Sequence, residues 1–171
     1  LSCINEYTAS NFNFSCTGAA RWDKAMSKVF YVHIGTNPAE AAMFADIVLP
    51  AAHHATQKLS CVGNKGNLHT HLSIQQPVVG RLWEEKADET EIMYMLAEKL
   101  GEKGFPNMIN YFKSFKDPET GKTPTNAEEF ALIATRIISS AVWKPKEPLK
   151  GDKIDGWEDF KKKGIYNSEG Y

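Results

Sequence analysis

The residue types best suited to chemistry sit in one stretch, His33 to Ala52, which reads HIGTNPAEAAMFADIVLPAA. At its centre is Gly35-Thr36-Asn37-Pro38, a turn of small and polar residues between two apolar runs. Glycine lets backbone come close to a ligand, and proline suits the first turn of a following helix. N–H groups left free at such a turn attract phosphate. The chemistry this pattern supports is the holding of a nucleotide rather than the making or breaking of a bond. An ordinary strand–helix–strand crossover with no ligand uses the same residues, and spacing alone does not separate the two.

A second constellation is the set of five histidines, His33, His53, His54, His69 and His71. On a strand, His69 and His71 place both rings on one face, and His53 adds a third ligand. That gives the three-ligand, open-position zinc centre of a hydrolase. Carboxylates to orient such ligands are lacking between Pro50 and Arg81, which weakens this alternative. Ordinary surface histidines account for the same residues. Cys3, Cys16 and Cys61 are odd in number and form no C-x-x-C pair, so they specify neither a disulfide framework nor a cluster or structural zinc site within this chain. No Gly-x-Ser-x-Gly elbow and no P-loop occurs, which removes support for nucleophilic hydrolysis and nucleoside triphosphate chemistry.

The elements that must position the turn follow from hydrophobic pattern. Phe30 to Ile34 reads as a buried strand, and Asp46 to Pro50 as a second one, apolar enough to be a central parallel strand that Pro50 stops. A short Ala-rich helix lies between them. There Glu40 in the first turn favours the helix dipole, and Asp46 at the strand start is placed to bind backbone. Upstream, Leu1 to Ile4 reads as a strand end. A helix from Ala19 to Lys28 follows, with Trp22, Ala25, Met26 and Val29 at helical spacing. Residues 51–76 read as a long loop with a weak alternation from Leu68 to Ile74. Such a loop is functional or covered by another domain.

Downstream, Asp88 and Glu91 mark a capping box for a helix with Ile92, Met95, Leu96 and Leu100 as its apolar stripe, ended by Gly101 and Gly104. Phe105 to Lys122 reads as irregular, anchored by Tyr111, Phe112 and Phe115. Thr125 or Asn126 caps a further helix carrying Phe130, Ile133, Ile137 and Ile138. From Lys144 the prolines and charges predict an extended connector with a short helix at Trp157 to Lys163.

The fold class expected is α/β, Rossmann-like, with a short, mostly parallel sheet flanked by helices. Residues 1–142 form the nucleotide-binding domain, and residues 143–171 the connector toward a further C-terminal domain. A chain of 171 residues with 42% hydrophobic content supports one domain with a real core. Its net charge of −1 gives no electrostatic case for nucleic acid or an anionic membrane surface, and Lys161, Lys162 and Lys163 read as a solvated helix face. No run approaches the ~18 apolar residues of a membrane span. The start at Leu1, with neither an initiator methionine nor a signal-peptide pattern, reads as a piece of a longer protein.

The chain resembles the molybdopterin oxidoreductases of the dimethyl sulfoxide reductase superfamily. The resemblance is carried by Asn37-Pro38-Ala39-Glu40 with Ala45-Asp46-Ile47-Val48-Leu49-Pro50-Ala51-Ala52, by Gln57 to Gly66 with its Asn64, and by Pro77 and Trp83 leading to Leu96-Ala97-Glu98-Lys99-Leu100-Gly101. It runs from about Ile4 to Phe105, with an echo at Gly156 to Gly164. Four positions depart from the family pattern. Gln57 stands for a glutamate, Ser60-Cys61 for glycine-threonine, Leu68 for an arginine and Gly35 for an aspartate. Side-chain contacts at those positions do not carry over, whereas backbone contacts do.

The resemblance implies a parent enzyme with two molybdopterin guanine dinucleotides around molybdenum or tungsten, and a 4Fe-4S cluster held outside this chain. This chain would bind the guanosine-diphosphate end of one dinucleotide, through Gly35, Thr36 and Asn37 on one side and Ala51, Ala52 and His53 on the other. It would contain no catalytic residue and be inactive alone. The parent would carry out two-electron redox or oxygen-atom transfer. Its partners would be the remaining domains of the same polypeptide and an electron-transfer subunit, with no membrane insertion of its own. The alternative is a cofactor-free scaffold module of the same fold in a respiratory complex.

Overall fold

The computed structural model describes residues 2–5, 19–36, 40–51, 59–64, 70–80 and 89–169. Its first sheet is parallel and has three strands, β1 (Ser2–Asn5), β2 (Phe30–Gly35) and β3 (Ile47–Pro50), in the order β1-β2-β3. Helix α1 (Ala19–Met26) links β1 to β2, and a 3-10 helix, Glu40–Phe44, links β2 to β3. Strands β2 and β3 pair from Val32 opposite Ile47 to Gly35 opposite Pro50. Successive strands lying side by side in parallel are what βαβ crossovers produce. Met26 and Tyr31 are buried together, with Val29, Phe44 and Ala45 packed on them, so both connecting helices serve the Tyr31 face of the sheet.

Two expectations are corrected in this unit. The Ala-rich helix is a single 3-10 stretch, closed by the Ala45 N–H on the Ala42 carbonyl at 3.1 Å. The few residues between Pro38 and Ala45 cannot repay the cost of an α-helical nucleus. Strand β3 is parallel as expected, yet it is an edge and not a centre among the described residues, with Ile47 and Val48 nearly half exposed. The central strand is β2, where Tyr31, His33, Ile34 and Gly35 are all buried.

The second sheet is antiparallel, so the chain as a whole is not built on a mostly parallel sheet. Strand β4 (Ser60–Asn64) pairs with β5 (His71–Gln75), and β5 pairs with β6 (Ile165–Asn167). The stretch read as a 51–76 loop therefore contributes two strands. Their short runs mix polar with apolar residues, as suits a sheet buried on one face only, and that pattern is faint over five residues. The polypeptide after Trp143 runs back to this sheet, with the predicted short helix followed at once by β6.

Four helices complete this part. Helix α2 (Glu89–Glu102), α3 (Asn107–Lys113) and α4 (Ala127–Trp143) share a core of Tyr94, Ala97, Ile109 and Phe130, bordered by Phe112 and Phe115. Helix α5 (Gly156–Lys163) packs Trp157 and Phe160 with Trp143, Val142, Ile74 and Tyr166 against the antiparallel sheet. The segment expected to be irregular after Phe105 thus includes a helix of two turns. The expected cap of α4 is present: the Asn126 side chain accepts the Glu129 N–H at 2.9 Å, while the Glu129 carboxylate accepts the N–H and hydroxyl of Thr125.

Both apolar stripes are rotated from their predicted positions. On α2 the buried residues are Glu91, Tyr94 and Ala97, and Met95, Leu96 and Leu100 are exposed. On α4, Phe130 and Ile133 are buried as expected, but Ile137 and Ile138 are exposed and Thr135 and Ser139 take the inner positions. These small hydroxyls are tolerated because each finds a partner. Ser139 donates to the Thr135 carbonyl at 2.8 Å and accepts the Trp143 Nε1–H at 2.9 Å, and the Thr135 hydroxyl lies 2.9 Å from the Leu59 and Ala131 carbonyls.

Candidate functional site

The two strand ends that flank the Gly-Thr-Asn turn come together at one edge of the parallel sheet. Gly35 closes β2 opposite Pro50, which closes β3, and the Ala51 N–H donates to the Gly35 carbonyl at 2.9 Å. Gly35 is buried, and Thr36 and Ala51 are half-buried beside it. Of the six predicted contact residues, Gly35, Thr36 and Ala51 are thus brought to the carboxyl edge of two adjacent parallel strands. Open α/β sheets bind ligands beyond this edge. Asn37, Ala52 and His53 lie outside the described residues.

The other end of the strand pair is fixed by Asp46. Its Oδ2 accepts the Tyr31 N–H at 2.7 Å, and its own N–H donates to the Tyr31 carbonyl at 2.9 Å. Two bonds to one residue set the register that puts Gly35 against Pro50, so Asp46 acts here through backbone and structure, as its position suggested. Glu40 opens the 3-10 stretch. A helix this short has almost no aligned dipole and so adds little attraction for an anion.

His33 shares a strand face with Tyr31 and Gly35 and is completely buried. Its Nδ1 lies 3.3 Å from the Tyr31 hydroxyl, and Nε2 has no hydrogen-bond partner among the described residues. The sequence grouped His33 with four other histidines, and only its alternation with Tyr31 and Gly35 signalled that it points into the core. His71 is half-buried on β5, while His53, His54 and His69 lie outside the described residues. The described residues contain no group of three His, Cys, Asp or Glu side chains able to hold a metal ion. Cys61 is half-buried on β4, its thiol 3.9 Å from the Thr135 carbonyl. Burial pushes the thiol pKa up, partly offset by the Ser139 hydroxyl, so it behaves as a protonated, unreactive core residue.

The strongest electrostatic feature lies elsewhere, at the inner face of α4. The Arg136 guanidinium bonds Asp117 at 2.5 Å and Glu119 at 2.6 Å and stacks over the Trp157 ring at 5.1 Å. Burial opposes ionisation of Asp117, but the Glu119 N–H, the Arg136 guanidinium and Thr120 together outweigh it and hold the carboxyl below its ordinary range. The pair ties the 117–122 turn to α4, with Asp117 on one terminal guanidinium nitrogen and Glu119 on the other. It is a structural clamp with no periodic signature, since its members are 17 to 19 residues apart.

The sequence of this chain is 57% identical over 162 residues to the arsenate respiratory reductase molybdopterin-containing subunit ArrA of Chrysiogenes arsenatis. It is 44% identical over 164 residues to the subunit of the same name from Shewanella sp. (strain ANA-3). The chain is a close homologue of part of these molybdopterin-containing subunits of the dimethyl sulfoxide reductase superfamily. The matches cover 92% and 95% of this chain but 19% of each relative, so the chain spans about a fifth of their length. No family model matches it. This homology supports the resemblance read from the Ala-Asp-Ile-Val-Leu-Pro motif. Among the described residues no helix is long and apolar enough to cross a membrane.

Proposed function

We propose that this chain is a nucleotide-binding, Rossmann-like segment of a molybdopterin-dependent arsenate reductase, and that it grips the guanosine-diphosphate end of one molybdopterin guanine dinucleotide. The observation that carries the reading is the convergence of Gly35, Thr36 and Ala51 at the carboxyl edge of β2 and β3. These residues suit the group. Gly35 has no side chain to fill the approach, Thr36 offers a hydroxyl, and small residues end both strands. Asn37, Ala52 and His53 complete the contacts. Backbone groups dominate, which fits a chain where glycine stands at the family's aspartate.

The metal dithiolene supplies the two-electron chemistry, reducing arsenate in the parent as the names of the relatives say of those proteins. This chain contributes binding and orientation and no catalytic side chain. The rest of the polypeptide, a 4Fe-4S cluster held there and an electron-transfer subunit complete the enzyme, in which residues 143–171 lead on from the nucleotide-binding part. The reading favours a cofactor-holding segment over a cofactor-free scaffold, because the similarity is to subunits named for their molybdopterin.

Hydrogen exchange tests the reading. Guanosine diphosphate should slow exchange of the Thr36 and Asn37 amides, with no change in the α2–α4 core. Unaltered exchange at the turn under saturating nucleotide would refute it.

A further inference from the structure

One polar group beneath the Gly-Thr-Asn turn is left over. His33 stands between Val32 and Ile34 in an apolar strand, yet its imidazole is completely buried. Nδ1 lies 3.3 Å from the Tyr31 hydroxyl, and Nε2 has no hydrogen-bond partner among the described residues. Whichever nitrogen carries the proton, Nε2 is left with an unmet donor or acceptor, a cost that valine or isoleucine at the same position would not incur.

The position of the ring favours a ligand as the missing partner. Alternation puts His33 and Gly35 on the same face of β2, about 6.6 Å apart along the strand. Gly35 ends the strand, so no side chain of β2 stands between the imidazole and the carboxyl edge. Opposite these two residues on β3, and on the same face, are Val48 and Pro50. Val48 is 49% exposed and Pro50 is exposed as well. Neighbouring strands lie about 4.8 Å apart, so open surface begins one strand away from the buried ring. A molecule seated beyond the strand ends and against Pro50 and Val48 comes within a side chain's reach of Nε2.

We infer that His33 is a further binding residue for the dinucleotide, with Nδ1 accepting the Tyr31 hydroxyl proton and Nε2–H donating to an oxygen of the diphosphate. In a neutral imidazole the nitrogen that accepts leaves the other one protonated. An ionised diphosphate offers only acceptors, so this is the tautomer that serves it. The assignment rests on the nucleotide-binding function proposed above, and adds a side chain within the sheet to the groups at the turn.

Replacements at His33 in the full-length, cofactor-loaded subunit test this. Glutamine places a side-chain nitrogen where Nε2 stands, asparagine places one only near Nδ1, and valine removes both while suiting a buried strand. Guanosine monophosphate released by acid hydrolysis after dialysis is counted per polypeptide. His33→Gln should retain it to within about twofold of the unaltered subunit, while His33→Asn and His33→Val should lose it by at least about fivefold, within the range expected for one charge-assisted hydrogen bond. Amide exchange across the α2–α4 core should be unchanged in all three. Equal loss in all three variants would make the role of His33 structural, and full retention by His33→Val would show that Nε2 has no part in binding. Either result would overturn the inference. Failure of the nucleotide reading itself looks different: the Thr36 amide of the unaltered subunit would exchange equally fast with and without cofactor, which would overturn both.

Discussion

The Ala51 N–H donates to the Gly35 carbonyl at 2.9 Å, locking the last residue of β2 to the residue that follows β3. This bond holds the two strand ends in place on either side of the Gly-Thr-Asn turn. Gly35 lies within a strand, where any residue adopts the backbone, so its value is space. Because Gly35 is buried, Gly35→Val should also cost about 1–3 kcal/mol of stability through overpacking. Protection of Thr36 by guanosine diphosphate should be lost. A urea melt and a nucleotide titration monitored by amide exchange check both halves. A valine variant that binds unchanged would remove the turn from the site.

The rotated stripe on α2 makes a sharp contrast in stability. Leu96 is 40% exposed, so Leu96→Ala leaves little cavity and should cost less than about 1 kcal/mol. Phe130 is 5% exposed and packed on Tyr94 and Phe112, so Phe130→Ala should cost about 3–5 kcal/mol. Equilibrium unfolding of the two variants side by side decides whether α2 turns Leu96 away from the core that holds Phe130 of α4.

Ser139 bridges the Thr135 carbonyl and the Trp143 indole within the α4 core. Ser139→Ala leaves the Trp143 N–H buried without its acceptor, and should cost about 1–3 kcal/mol. Tryptophan fluorescence through the melt reports on the same site. A neutral result would mean that water replaces the hydroxyl.

Gly151 has a φ of +144° and sits against the Asn167 carbonyl, where a Cβ would clash with backbone. The contact belongs to the bridge between Gly151 and Ser168 that continues from β6. Gly151→Ala should cost at least about 2 kcal/mol, from strain plus displaced backbone. Faster exchange of the Asp152 amide, which donates to the Asn167 carbonyl, should accompany the loss.

Acid sensitivity should trace to the Asp117–Arg136 clamp. The folded pKa of Asp117 lies below its unfolded value of about 3.9, so its contribution is complete above that value and disappears as pH falls through the folded pKa. Asp117→Asn should flatten the stability profile below about pH 4 and lower stability at pH 7, where Arg136 loses a partner. Urea midpoints between pH 2.5 and 7 measure both effects. Parallel profiles for the variant and the parent chain would place the acid transition elsewhere.

Much of the local structure was readable because it depends on neighbours in sequence. The strands at 30–35 and 47–50, the Asn126 cap and the helix at Trp157 are each specified within a few residues. The resemblance, too, was legible in a short motif, Ala45 to Ala52. Which face a helix buries was harder. Leu96 and Ile137 fit an apolar period as well as Tyr94 and Ser139 do, and the choice fell to Phe112, Phe130 and Trp157, side chains distant in the chain that fill the inner side.

What tertiary structure alone decided were relations between remote segments. The pairing of β5 with β6 joins residues about ninety positions apart, and the Arg136 clamp gathers charges from a turn and a helix. Neither leaves a periodic trace, because a ladder or an ion pair is defined by proximity in space and not by spacing along the chain. The edge position of β3 is of the same kind. Its apolar residues specify a strand, and only the pairing with β2 shows that among the described residues it lies at the edge of the sheet.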